Sequence, residues 1–103
     1  PADALILPMT EDLSPAISLA TLLRENGIRS QLHCEEKKFK QKIAYADKLG
    51  IPYVVFLGED EIAAGTVSLK DLRTGDQVTV PAQDAAARIL ADIELRGQGT
   101  ILK

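Results

Sequence analysis

Five consecutive apolar residues, Tyr53-Val54-Val55-Phe56-Leu57, stand between Pro52 and Gly58. A strand with water on one face alternates apolar and polar side chains. An unbroken apolar run is what a strand covered on both faces requires. The chain around this run must therefore supply helices to both of its sides. Just upstream, Phe39, Ile43, Ala46 and Leu49 recur at the spacing of one helical face. Gly50 stops that helix, and Pro52 forbids its continuation. Downstream the pattern changes. Gly58-Glu59-Asp60-Glu61 reads as an acidic turn, after which Val67 and Leu69 face one way while Thr66, Ser68 and Lys70 face the other.

Taken from its start, the chain repeats this logic. Residues 4–7 make a short apolar strand ending at Pro8. Ser14 is placed to cap a helix whose first position suits Pro15. Ile17, Ala20 and Leu23 supply its inner stripe, widened by Leu19 and Leu22, and Gly27 ends it. Residues 28–33 alternate as a second strand, and the helix at about 37–49 leads into the third. A β-α-β-α-β run with right-handed crossovers gives a parallel core in the order 2-1-3. No helix-length segment separates Leu57 from Val67, so the fourth strand returns antiparallel. Arg73-Thr74-Gly75-Asp76 is a turn, and residues 77–80 are a fifth strand in which Val78 and Val80 alternate with Gln77 and Thr79. Asp84 is placed to cap a last helix with Ala86, Leu90 and Ile93 inward, helped by Ile89. Gly97-Gln98-Gly99 loosens the chain, which sets a domain over residues 1–97 and a tail over 98–103. The expected architecture is a single α/β domain: a five-stranded mixed sheet, with a parallel 2-1-3 core and an antiparallel hairpin, covered by three helices. One helix suffices for the hairpin half. Its other face, carrying Thr66, Ser68, Lys70, Gln77 and Thr79, is left open to a polar partner.

With 103 residues the chain has material for one core. No apolar run approaches the ~20 residues that span a bilayer, and no secretory signal pattern opens the sequence. A single Cys excludes an internal disulfide. These features are those expected of a cytoplasmic protein without a membrane partner. Pro1 rather than Met at the first position is expected of a piece of a longer polypeptide. The net charge of −3 argues against gripping long nucleic acid through its phosphates. It leaves room for a local site, because Lys37, Lys38, Lys40 and Lys42 fall within six positions.

Candidate chemistry is sparse. His33 and Cys34 are the only residues of their kinds and are adjacent on a strand, so they point to opposite faces and make no metal site or nucleophile pair. Glu11, Asp12, Glu59, Asp60 and Glu61 follow the first and third strands, where open α/β sheets bind ligands. Acids there could hold Mg²⁺, as in phosphoacceptor receiver domains. That alternative lacks an Asp nucleophile at the end of the third strand and the further βα units that carry a supporting hydroxyl and lysine. Neither GxGxxG nor GxxxxGK[ST] occurs. The residues describe a binding module with no catalytic set, no cofactor and no metal. Glu61 is the most pointed of them. The Watson–Crick edge of guanine offers two adjacent N–H donors, and a carboxylate can accept both. Splayed bases of single-stranded RNA loops are read through such edges.

The segments Phe39-Lys40-Gln41-Lys42, Tyr45-Ala46-Asp47-Lys48-Leu49-Gly50-Ile51-Pro52, Gly58-Glu59-Asp60-Glu61 and Val67-Ser68-Leu69-Lys70-Asp71-Leu72-Arg73-Thr74-Gly75-Asp76-Gln77 resemble the C-terminal anticodon-binding domain of histidyl-tRNA synthetase, a class II aminoacyl-tRNA synthetase. The resemblance covers nearly the whole chain. It implies the same mixed sheet and a domain that holds the anticodon stem-loop of histidine tRNA, whose anticodon is GUG by the genetic code. It implies that Glu61 contacts an anticodon base, with Lys70 working beside it. Lys38, Lys40 and Lys42 are expected to meet phosphates. Phe39, Ser68 and Arg73 complete the candidate tRNA-binding set. ATP, Mg²⁺ and histidine are expected to belong to a catalytic domain elsewhere in the same polypeptide. This chain is then a fragment of a ligase, inactive and monomeric alone, from a homodimeric full-length enzyme. A regulatory homologue that kept the fold and lost tRNA reading is the other alternative.

Overall fold

The computed structural model describes residues 2–33 and 39–101. The elements follow as β1 (Ala4–Pro8), α1 (Ser14–Glu25), β2 (Ser30–Leu32), α2 (Phe39–Lys48), β3 (Tyr53–Leu57), α3 (Glu59–Ala64), β4 (Thr66–Asp71), β5 (Gln77–Pro81) and α4 (Ala82–Ile101). The strands form one sheet in the order β2-β1-β3-β4-β5. β1 pairs parallel with β2 and β3, and β4 pairs antiparallel with β3 and β5. This is the expected mixed sheet with a parallel 2-1-3 core.

Two apolar layers hold it together. On one face Ala4, Ile6, Tyr53, Val55, Leu57, Val67 and Leu69 pack against Ala16, Leu19 and Leu23 of α1 and Ala85, Ala86 and Ile89 of α4. On the other, Leu5, Leu7, Val54 and Phe56 pack against Ala46 of α2 and against Ile51. Every residue of β3 is buried, as its unbroken apolar run demands.

The structure corrects the sequence reading at several points. There are four helices among the described residues rather than three. The acidic turn is the first turn of α3. Gly58 enters it in extended conformation, and Gly65 ends it with a φ of 71°, the left-handed geometry that glycine supplies cheaply. Glu59, Asp60 and Glu61 all lie in the first turn, where carboxylates suit the unpaired N–H groups. Six residues are too few for a helical period to show in the sequence. In α1 the inner stripe is Ala16, Leu19 and Leu23, while Ile17 is 54% exposed. Ser14 does not cap α1. Leu13 holds the cap position without a side-chain bond, and Asp12 Oδ1 instead accepts from the Ser14 N–H at 3.0 Å. That backbone donor holds the Asp12 carboxyl below its ordinary pKa. Leu49 follows α2 and is exposed, not part of its inner face. α4 runs through Gly97, Gln98 and Gly99 to Ile101, so most of the expected tail is helical.

Candidate nucleic-acid interface

α2 packs over β1 and β3, and the hairpin beyond them keeps a polar face. The antiparallel register sets Lys70 opposite Gln77 and Ser68 opposite Thr79. On β3, Lys70 is opposite Val54 and Ser68 opposite Phe56, so all of these point to the α2 side of the sheet. Gln77 and Thr79 are exposed, Thr66 and Lys70 half-buried, and Ser68 buried. The Gln77 Nε2 donates to Ser68 Oγ at 2.7 Å, which satisfies the buried hydroxyl. Gln77 was read from the sequence as part of the open face and not as a site residue. Its bond to a residue nine positions away has no signature in composition or period.

Arg73 lies in a different place. Its Nη2 donates to Asp71 Oδ2 at 2.9 Å, to Asp92 Oδ2 at 2.7 Å and to the Tyr53 hydroxyl at 3.2 Å. Its Nε donates to Asp71 Oδ1 at 3.1 Å, completing a forked pair. The guanidinium carbon sits 5.5 Å from the centre of the Tyr53 ring. Tyr53 belongs to the layer under α1 and α4, so this cluster ties the hairpin turn to α4 on the side away from Lys70. The bonded guanidinium holds the Asp71 carboxyl below the usual carboxylate range, and Asp71 in turn raises the Arg73 pKa. Burial, then the bond to Asp92, pushes the Tyr53 hydroxyl up to about 12. The sequence reading takes Tyr53 only as part of a buried strand and does not single out Asp92, because their partner is remote in sequence.

Glu61 occupies the third position of α3. Its side chain folds back toward Gly58, with Oε2 3.0 Å from where a Cβ at that glycine would stand. It borders a cleft of about 270 Å³ with Pro15, Leu19 and Leu22 of α1. The pairing register places Gly58 level with Thr66, four residues along β4 from Lys70, or roughly 13 Å at strand rise. Glu61 and Lys70 are thus at opposite ends of the hairpin, and neither side chain makes a hydrogen bond or ion pair among the described residues. Lys42 is only 9% exposed, so its stem is packed. Lys38 lies outside the described residues, as do the side chains of Phe39 and Lys40. The His33 ring packs on Tyr45 at 4.9 Å. Glu11, Asp12 and Glu59 border one cleft, but among the described residues no three His, Cys, Asp or Glu side chains come together as a metal-holding group. No helix of the described residues is long and apolar enough to cross a membrane.

A family model for the anticodon binding domain matches residues 3–92. The chain belongs to the anticodon-binding domain family. This anticodon-binding domain is 43% identical over 84 residues to the histidine–tRNA ligase of Clostridium tetani, covering 82% of the chain and 19% of that protein. It is 33% identical over 91 residues to the histidine–tRNA ligase of Thermococcus kodakarensis, covering 85% and 21%. Among solved structures, the histidyl-tRNA synthetase from Nostoc sp. PCC 7120 superposes with a TM-score of 0.85 at 34% identity, covering 90% of the domain and 23% of that chain. The domain spans about a fifth of the length of these curated relatives.

Proposed function

We propose that this domain holds the anticodon stem-loop of histidine tRNA on behalf of a histidine–tRNA ligase whose catalytic part lies elsewhere in the polypeptide. The observation that carries the reading is the polar hairpin face, with Gln77 and Thr79 exposed and Lys70 half-buried beside them, in a domain of the anticodon-binding family. RNA loops are recognised by splayed bases and local charge rather than by a broadly basic surface, which fits a net charge of −3. Lys70 meets a phosphate or base from the strand. Glu61, at the other end of the hairpin, accepts the two N–H donors of a guanine. ATP, Mg²⁺ and histidine are handled by the catalytic part, through which the full-length protein dimerises. This domain contributes binding energy and no reacting group.

The test is competition by isolated stem-loops against histidine tRNA bound to the full-length protein. A GUG stem-loop is expected to compete at least about tenfold better than the same stem carrying an unrelated anticodon, the scale of one or two lost base contacts. Equal competition would leave a fold that no longer reads the anticodon.

A further inference from the structure

The turn that closes the hairpin is tied at two points. Leu72, packed with the α2 layer, donates its N–H to the Pro52 carbonyl at 2.8 Å. On the other side of the sheet, the Arg73 guanidinium joins Asp71 of β4 to Asp92 of α4. Its grip on Asp71 is threefold. Asp71 Oδ1 accepts from the Arg73 Nε at 3.1 Å and from the Arg73 backbone N–H at 2.9 Å, and Oδ2 accepts from Nη2 at 2.9 Å. Isolated exposed ion pairs hold little, but a forked pair that shares its cation with a second carboxylate is the geometry in which such pairs do hold structure. What this clamp holds is the last rung of the hairpin. Lys70 and Gln77 are the final paired residues of β4 and β5 before the turn, and Asp71 follows Lys70 directly. Strand side chains alternate, so the Asp71 carboxylate is drawn toward α4 while Lys70 points from the opposite face. β5 is an edge strand, paired with β4 alone among the described residues. The position of its turn end therefore depends on these two ties.

We infer that Arg73 is a positioning residue for tRNA binding: by clamping Asp71 to α4 it fixes the Lys70–Gln77 rung on the opposite face of the sheet, and with it the place where Lys70 meets RNA. This rests on the histidine-tRNA reading above. Arg73 then acts on RNA only through the strand, with its guanidinium committed to Asp71, Asp92 and the Tyr53 hydroxyl. Lysine cannot take its place, because an ammonium is a point charge and cannot make the fork.

The experiment measures binding of histidine tRNA to the full-length protein, with unfolding followed in parallel so that every variant is compared while folded. Arg73→Met keeps the stem and removes the fork. It is expected to weaken binding about threefold, as a displaced phosphate contact would. Arg73→Lys keeps the charge without the fork and is expected to weaken binding by as much. Asp92→Ala cuts the clamp on the side away from Lys70. It is expected to weaken binding too, although the loss of a negative charge would by itself strengthen the attraction for phosphate. In a protein already carrying Lys70→Ala, Arg73→Met is expected to add no more than about 1.5-fold, because the group it positions is gone. Rescue by Arg73→Lys, or losses that multiply in the double variant, would mean that the Arg73 charge meets RNA directly and overturns the inference. Unchanged tRNA binding by Arg73→Met also overturns it, and leaves the clamp a structural tie alone. In each of these cases the wider function stands. Failure of the unsubstituted protein to bind histidine tRNA at all removes both.

Discussion

The two halves of the sheet differ in how many faces are covered. In β1 and β3 nearly every residue is buried, on both sides of the sheet. In β5 the residues alternate, with Gln77, Thr79 and Pro81 exposed and Val78 and Val80 half-buried. β1 and β3 are therefore packed by apolar side chains on both of their faces. The hairpin half has one packed face and one face free to carry recognition. A chain of this size can divide stability from binding in this way because strand side chains alternate between faces.

The sharpest test of that division is a pair of truncations. Leu5→Ala, in the doubly covered half, is expected to cost about 3 kcal/mol in urea unfolding, within the usual range for a buried leucine. Thr79→Ala, on the open face, is expected to stay within about 0.5 kcal/mol. Similar losses at both sites would erase the distinction.

A smaller effect is expected where the hairpin's covered face is tied down. The Tyr53 hydroxyl is raised to about 12 in the folded protein, from 10.0. The native state then holds this proton more tightly than the unfolded chain does. Its contribution is fully present below pH 10 and is lost as pH rises from 10 through 12. Allowing for solvent around the cluster, this is about 1 kcal/mol. Tyr53→Phe should flatten that alkaline loss, measured by unfolding across this interval. An unchanged pH dependence would mean that Arg73 and Asp92 hold the hairpin without the phenol.

The smallest stability effect is expected at Lys70. Lys70→Ala should leave unfolding within about 0.5 kcal/mol. It should lower the salt dependence of tRNA binding to the full-length protein by about 0.7 in slope, the value for one phosphate of a single strand. A loss of stability with an unchanged slope would place Lys70 with the packed half of the sheet.

Much of this architecture is legible in the residues, for identifiable reasons. The run from Tyr53 to Leu57 can satisfy only a doubly covered strand, and the alternation from Gln77 to Val80 only a singly covered one. The turn at Arg73-Thr74-Gly75-Asp76 joins β4 to β5, with Gly75 at a φ of 83°. What escaped was short or remote. α3, at six residues, is shorter than two turns and shows no repeating stripe. Ala16, being small, does not announce the inner face of α1 as loudly as the exposed Ile17 does. Arg73 looked like an RNA contact because a basic residue in a turn has no visible partner in the sequence. The structure gives it Asp71, Asp92 and Tyr53. The resemblance sets Lys70 to work beside Glu61, yet the strand between them carries them to opposite ends of the hairpin.

Gly58 has an ordinary extended backbone, with φ −97° and ψ 179°, so nothing in its conformation demands glycine. What it lacks is a methyl group at the spot that the Glu61 carboxylate leans over. Residue 58 is thus a spacer setting for that carboxylate. An alanine there would nudge the end of a flexible side chain by a few tenths of an ångström, leaving its charge and the helix intact. The location of the anion and its strength can be varied independently, one from residue 58 and the other from residue 61.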